Sequence, residues 1–224
     1  MPQPVDPRFP QPVQEIWASL HADVVWLHGR WIVYRQLYGT NKARVDLLNE
    51  AAANVASIIH DVLLHDVQLS ISKIGDPPGS GDRKNLTLRR LQLELRSAGE
   101  TEIADAMTPR LETFDAACEK VRHRRNKWIA HSDLTTLLKA RATPLLGPSR
   151  QEIETALAAL RHVMNCVELK YTDGETAYEH FVMNQTGEQL IDALAKGKRY
   201  RELVKAGQVP RDDFRQRFQN QFYE

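Results

Sequence analysis

The spacing of apolar residues constrains the fold of this chain more than any other feature of its sequence. Apolar side chains recur every three or four positions, which is the period of an α-helix with one buried face. The first such run contains Ile16, Leu20, Val24, Leu27 and Trp31. A second run extends from Val45 to Ile74 and ends at the helix-breaking sequence DPPGSGD, residues 76–82. No stretch of alternating β-branched residues with hairpin turns occurs, so we predict an all-α fold.

Local signals predict where the other helices begin. Thr40 or Asn41 is expected to cap the second helix. Asn85 is expected to cap a short third helix, and the Thr108-Pro109 pair is expected to open a fourth. Further helices are predicted over 134–142, 151–171, 187–206 and from 211 onward.

These elements predict an up-and-down helical bundle of four to five main helices with a helical C-terminal appendage. Residues 1–12 contain five prolines and are expected to form an extended lead-in. Residues 13–171 would form the bundle, and residues 172–224 a polar helical extension.

Composition narrows the class of protein. A net charge of +1 argues against a protein that coats nucleic acid through its overall field. Cys118 and Cys166 are the only cysteines, too few for a disulfide framework or a structural zinc site. The start of the chain does not have the pattern of a signal peptide, and no apolar run approaches the roughly 20 residues of a membrane span. We therefore expect a cytoplasmic protein with no membrane partner.

The sequence VRHRRNKWIAHSD, residues 121–133, carries the most informative chemistry. Arg125 offers a planar, permanently charged fork that matches a phosphate. His131 is a side chain whose ordinary pKa suits proton transfer near neutrality, and Asn126 can orient either partner. On one continuous helix, six residues turn about 600°, so Arg125 and His131 would lie on different faces. Either the helix ends near Ala130, or the two side chains meet across a symmetry axis.

The same residues carry a resemblance to a known family. The spacing Arg125-Asn126-x4-His131 resembles the motif of HEPN domains, an all-α superfamily associated with RNA and nucleotides. Two further stretches, residues 60–78 (HDVLLHDVQLSISKIGDPP) and 82–91 (DRKNLTLRRL), resemble the abortive-infection AbiU-like branch. The likeness covers about residues 15 to 170.

The resemblance implies a metal-independent endoribonuclease without a cofactor, in a toxin or phage-defence system. Arg125 would stabilise the developing phosphorane charge, His131 would act as general base or acid, and Asn126 would help to position them. The 2′-hydroxyl of the RNA would attack the adjacent phosphate and leave a 2′,3′-cyclic end. This cleavage needs both a base and an acid, whereas each chain supplies one motif histidine, so a homodimer is expected. An antitoxin protein is a further expected partner.

The alternative is that the motif is structural. The same side chains can cap helix ends or form a polar contact between subunits without catalysing a reaction. The chain would then be a non-catalytic HEPN-type interaction or oligomerisation module that binds a partner protein, such as a nucleotidyltransferase antitoxin, or a nucleotide.

A second cluster of polar residues, HDVLLHD, occupies residues 60–66. Asp61 and His65 lie one helical turn apart, which suits either a partial metal shell or an Asp-to-His hydrogen bond. One helix supplies too few ligands for a metal, so we predict a supporting role in the bundle.

Basic residues around the motif could follow an RNA backbone. They are Lys84, Arg89, Arg90, Arg122, Arg124 and Lys127. Trp128 could stack on a base, but a tryptophan at this position is more often part of a core or an interface. The basic segment 196–205 is expected to be a solvated helix face.

Overall fold

A computed structural model describes residues 6–126 and 147–209. Six α-helices occur in this part of the chain: α1 Gln11–Tyr34, α2 Lys42–Ile74, α3 Leu88–Ser97, α4 Thr101–Arg124, α5 Arg150–Thr172 and α6 Gly187–Lys205. A π-helix, Arg35–Gly39, follows α1, and a 3-10 helix, Tyr178–His180, precedes α6. Two short strands, β1 Gly79–Ser80 and β2 Arg83–Lys84, lie between α2 and α3. The predicted all-α fold class is confirmed.

Helix α5 illustrates why the apolar spacing predicted the helices well. Ser149 accepts a hydrogen bond from the backbone of Glu152, whose side chain accepts one from the Ser149 backbone, and this capping box fixes the first turn. From there eight residues on one face are buried. A capping box formed by Thr186 and Gln189 opens α6 in the same way, close to the predicted start. A strong cap and a regular apolar face therefore agree in α5, and a strong cap alone marks the start of α6.

The predicted cap of the third helix is wrong by two residues. Thr87, not Asn85, has the extended backbone of a cap, and its hydroxyl oxygen accepts a hydrogen bond from the Arg90 amide at 3.1 Å. The Asn85 side chain instead donates to the carbonyl of Pro77 at 3.1 Å. Asparagine and threonine both suit a cap, but the Asn85 side chain is used in the contact with Pro77, and Thr87 caps the helix.

The predicted start of a helix at Thr108-Pro109 is also wrong, because α4 begins at Thr101 and includes the proline. A proline inside a helix removes one backbone donor and crowds the preceding turn. Here the side chains of Gln92 and Arg110 each donate a hydrogen bond of 2.7 Å to carbonyls of that turn. These contacts give two carbonyls of that turn side-chain partners, and α4 continues through the proline.

The breaker after α2 contains a small hairpin that the sequence did not predict. Gly79 pairs with Lys84, and Ser80 pairs with Arg83, in antiparallel register. Gly79 has φ of +102°, and a side chain there would collide with the Arg83 carbonyl. The hairpin is too short to change the fold class.

The described residues divide into two compact units. The first combines residues 6–32, 62–126 and 147–182, and its core includes α4 packed against α5, and α3 packed against α4. The second combines residues 33–61 with 183–209, and here α6 packs against the π-helix around a small core of Leu37, Leu48 and Ala56. The predicted division into residues 1–12, 13–171 and 172–224 stays a prediction.

Helix α2 leaves a row of apolar side chains in solvent. Val55, Ile58 and Val62 are 55, 62 and 61% exposed, and Ile59 is 38% exposed. Their spacing of three or four residues places them on one face, which we call the α2 stripe. Within the described ranges, α2 is the one helix long and apolar enough to cross a membrane, judged by length and composition alone. This finding qualifies the expectation from the sequence that no apolar run approaches the length of a membrane span.

Candidate functional site

The guanidinium of Arg125, directly after the last residue of α4, lies against the carboxylate of Asp76. Nη1 of Arg125 donates to both oxygens of Asp76, at 2.7 and 2.8 Å. Nε donates to Oδ1 of Asn126 at 3.0 Å. The Arg125 side chain is 19% exposed, so it remains reachable from solvent although it is held on two sides. Within the described ranges, Nη2 of Arg125 has no hydrogen-bond partner.

The predicted orienting role of Asn126 has a concrete form in this arrangement. Because Asn126 accepts from Nε and Asp76 accepts from Nη1, two of the three guanidinium nitrogens have fixed partners. The third nitrogen, Nη2, keeps two N–H donors for another acceptor. A phosphate oxygen is the acceptor that suits such a charged, planar donor best.

Residues 127–133 of the predicted motif region lie outside the described residues, and three of them have a predicted role. They are Lys127, Trp128 and His131. The helices predicted over 134–142 and from 211 onward also lie outside them. The pairing of Arg125 with His131 therefore stays a prediction.

Asp115 of α4 holds two further arginines next to this site. Arg122 donates to it through Nη2 at 2.8 Å, and Arg89 of α3 forms an ion pair with its other oxygen. Burial alone would raise the pKa of Asp115, but the hydrogen bonds from Arg89 and Arg122 outweigh burial and hold the pKa below its ordinary value. The carboxylate therefore stays charged and keeps both guanidinium groups in place.

The same two arginines also bind the end of α2. Arg89 donates to the carbonyl of Gly75 at 3.0 Å, and Arg122 donates to it at 2.9 Å. A cation at the carboxyl end of a helix is favourable because the last carbonyls lack partners and carry partial negative charge. Gly75 has to be glycine, since a Cβ there would meet the Arg122 guanidinium at 2.2 Å and the Phe114 ring at 2.8 Å.

We call Arg89, Arg122 and Arg125, together with Asp76 and Asp115, the arginine cluster. It contains three cations and two carboxylates, so its formal charge is +1. Two arginines are used to build the cluster, and one keeps a nitrogen available. The arrangement can hold one anionic group and strengthen its contacts as negative charge grows on that group.

The other predicted RNA-binding residues have separate surroundings. Lys84 is exposed on β2. Arg124 is half-buried, and its side chain lies beside Gly147, where the described chain resumes. Arg122 is 25% exposed and is engaged with Asp115 and Gly75. Contact of these residues with RNA stays a prediction.

The HDVLLHD stretch has contacts of a different kind. The Asp61 carboxylate lies 3.0 Å from Nδ1 of the neighbouring His60, and Nε2 of His60 lies 3.1 Å from the Tyr34 hydroxyl. Tyr38 packs edge-on against the His60 ring and donates from its hydroxyl to the Ala56 carbonyl at 2.8 Å. We call Tyr34, Tyr38, His60 and Asp61 the tyrosine–histidine cluster.

The second half of that stretch contributes elsewhere. His65 is half-buried on α2. Asp66 forms an ion pair with Nε of Arg30 at 2.5 Å. Across residues 6–126 and 147–209, no three His, Cys, Asp or Glu side chains are grouped closely enough to hold a metal ion.

Sequence reasoning missed the two carboxylates of the arginine cluster. In the sequence Asp76 is marked only as part of a helix breaker, and it lies 49 positions from Arg125. Asp115 lies within a regular helical pattern and has no local mark of its role. An isolated acidic residue becomes informative only when the fold places it against a particular arginine.

Comparison with known proteins assigns the chain to a family. The family model HEPN_AbiU2, described as AbiU2, matches residues 10–196. No curated protein and no solved structure matches the chain significantly. The family match covers all six described helices except the last turns of α6, and it includes the arginine cluster. The chain therefore belongs to the AbiU2 family of HEPN domains.

Proposed function

We propose that this AbiU2-type HEPN domain is a metal-independent endoribonuclease of a toxin or phage-defence system, acting in the cytoplasm. Its site would be composite, with Arg125, Asn126 and His131 contributed by each of two copies of the chain. The observation that carries the proposal is the fixed Arg125 guanidinium, which has one nitrogen left for an anionic ligand. Family membership supplies the expectation that this anion is an RNA phosphate.

The proposed reaction needs only protein groups and the RNA itself. One His131 takes the proton of the ribose 2′-hydroxyl, and the 2′-oxygen forms a bond to the adjacent phosphorus. The bond from phosphorus to the 5′-oxygen breaks, and the second His131 gives that oxygen a proton. Charge on the phosphoryl oxygens rises in the transition state, where Nη2 of Arg125 would donate more strongly than in the ground state.

The proposal that two copies of the chain form the site rests on the number of proton transfers that the reaction needs. A base and an acid are needed on opposite sides of the phosphorus, and the motif carries one histidine per chain. A two-fold axis would supply the second histidine without a further residue type. A separate antitoxin protein would keep the enzyme inactive until it is released.

The test is cleavage of varied RNAs by the purified homodimer, freed of bound partners, with and without EDTA. We expect cleavage products with 2′,3′-cyclic phosphate ends and no loss of rate in EDTA. His131→Ala should abolish cleavage while the helical content and the oligomeric state stay unchanged. His123→Ala is the matched control, because His123 is an exposed histidine in the same basic stretch.

A second candidate function rests on the α2 stripe. Three side chains more than half exposed on one helix face are typical of a surface that binds another protein. This observation favours the non-catalytic HEPN-type interaction module. A homodimer that leaves every tested RNA intact, with and without divalent ions, would decide for the module and against the nuclease.

A further inference from the structure

The loop between α2 and the hairpin, residues 75–78, is fixed on both sides of Asp76. On the amino-terminal side, the Gly75 carbonyl accepts hydrogen bonds from Arg89 and Arg122 at 3.0 and 2.9 Å. The Asp76 amide also donates to the Lys73 carbonyl at 3.1 Å, which continues the last turn of α2.

On the carboxyl-terminal side, three hydrogen bonds hold the two prolines. The Pro77 carbonyl accepts from the Asn85 side chain at 3.1 Å. The Pro78 carbonyl accepts from Arg90 at 3.0 Å and from the Asn85 amide at 3.1 Å. Proline also fixes φ near −65°, so little backbone freedom remains in this segment.

Such a fixed loop is unusual for a connection between a helix and an exposed hairpin. Surface loops normally carry fewer contacts than the elements they join. Here side chains from α3 and α4 hold the carbonyls on either side of one aspartate, and that aspartate projects onto Arg125. The common result of these contacts is a fixed position for one carboxylate.

We propose that Asp76 is a positioning residue for Arg125, and that loop 75–78 holds the Asp76 carboxylate in the position from which it binds Arg125. Both Asp76 oxygens bind the same nitrogen, Nη1, at 2.7 and 2.8 Å. With Asn126 on Nε, Nη2 is the guanidinium nitrogen left for a ligand. Asp76 acts through Arg125 and does not touch the RNA. The proposal rests on the proposed function only for the identity of that ligand.

Asp76 has a second effect through its charge. A carboxylate beside Arg125 offsets part of the positive charge that attracts a phosphate. Asp76 therefore lowers the affinity for RNA in the ground state but fixes the orientation of the Arg125 guanidinium. That orientation matters most in the transition state, when the phosphoryl group carries its greatest charge. Removal of the carboxylate should lower kcat while binding of RNA stays equal or becomes tighter.

The test compares three variants of the full-length dimer. Asp76→Ala should lower kcat by about 10- to 100-fold with KM changed by less than about threefold, because a small misplacement of a catalytic group has effects of this size. Asp76→Asn keeps the shape and one acceptor, so its kcat should lie between those of wild type and Asp76→Ala, with a lower KM. Asp105→Asn is the matched control, because Asp105 forms an aspartate–arginine ion pair of its own with Arg96, at 2.5 Å in the same unit.

A measurement that does not depend on activity separates this proposal from the proposed function. The Nη1–H signals of Arg125 in nitrogen-15 NMR, assigned by their disappearance in Arg125→Lys, should be protected from solvent exchange in wild type, because Nη1 is the nitrogen that Asp76 binds. That protection should be lost in Asp76→Ala and retained in Asp105→Asn. Retained protection in Asp76→Ala would overturn the positioning role, and so would a kcat lowered no more than in Asp105→Asn. Failure of wild type to cut RNA would overturn only the nuclease, since the NMR signal still reports the position of Arg125.

If Asp76→Ala does not fold, Asp76→Asn carries the test alone. Its isosteric side chain preserves packing, so loss of Arg125 protection without a drop in melting temperature would still assign the role. Unchanged protection together with unchanged kcat and KM would refute it.

Discussion

The arginine cluster and the tyrosine–histidine cluster both join acidic and basic side chains, but they differ in the kind of chemistry they allow. The first places permanently charged guanidinium groups around two carboxylates and retains a formal charge of +1. The second links a carboxylate, an imidazole and two phenols through polar contacts and packing of the aromatic rings. Only the first provides fixed cationic donors for an anion, whereas the second satisfies its own polar groups. Similar sequence signals therefore mark a candidate site in one case and a supporting contact in the other.

The largest effect is expected for Arg125→Lys. A lysine ammonium cannot bind Asp76 and Asn126 while presenting a further planar donor, so cleavage should fall by about 100- to 1,000-fold. Steady-state cleavage of a labelled RNA measures the loss, with circular dichroism to check the fold. Arg30→Lys serves as the control, because Arg30 forms a comparable ion pair with Asp66 and is 34% exposed. Equal losses in the two variants would contradict a special role for the arginine cluster.

Asp115→Asn should have an intermediate effect. It leaves Arg89 and Arg122 without their shared carboxylate, so the free energy of unfolding should fall by about 1–2 kcal/mol and cleavage by several-fold. Because the folded-state pKa of Asp115 is depressed, its stabilisation is present above the unfolded pKa, near 3.9, and is lost as pH falls through the folded value. Denaturant titrations at pH 7 and pH 3 should therefore show a smaller gap between wild type and variant at the lower pH. An equal gap at both pH values would contradict this account.

The smallest effect is expected in the tyrosine–histidine cluster. His60→Gln removes the ring that contacts Tyr34 and Asp61, but the site is 37% exposed and water can replace the lost bonds. We expect about 0.5–1 kcal/mol lower stability and an unchanged cleavage rate. Thermal unfolding and the RNA assay measure the two quantities on the same samples. A tenfold loss of cleavage would place this cluster in the functional site and remove the distinction drawn above.

The helices were largely predictable from the sequence, and the errors have local causes. Periodicity located α1, α2, α5 and α6 because each has a regular apolar face or a strong cap. The Thr108-Pro109 pair misled because α4 begins at Thr101 and includes the proline, and the turn before it is contacted by Gln92 of α3 and by Arg110 within α4. No pattern in the sequence predicts side-chain contacts of this kind.

The candidate site was predictable only in part. Arg125 and Asn126 were singled out by residue type and spacing, and the structure brings their side chains together. Asp76 could not be found in this way, since a carboxylate in a Pro-Gly breaker reads as a turn residue. Arg89 and Arg122 were predicted to contact RNA, which stays a prediction, and the structure adds that both bind Asp115 and the Gly75 carbonyl. Basic composition alone does not distinguish a cation that binds a ligand from one that organises its neighbours.

The α2 stripe also bears on how the protein behaves at high concentration. Salts that are excluded from protein surfaces, such as sulfate, raise the free-energy cost of leaving apolar area in water. The exposed valine and isoleucine side chains of α2 should therefore make the protein salt out early and self-associate as sulfate is added. Ile58→Lys would place a charge in the α2 stripe and raise the colloidal stability of the protein. The stripe is therefore a practical target when concentrated samples are prepared.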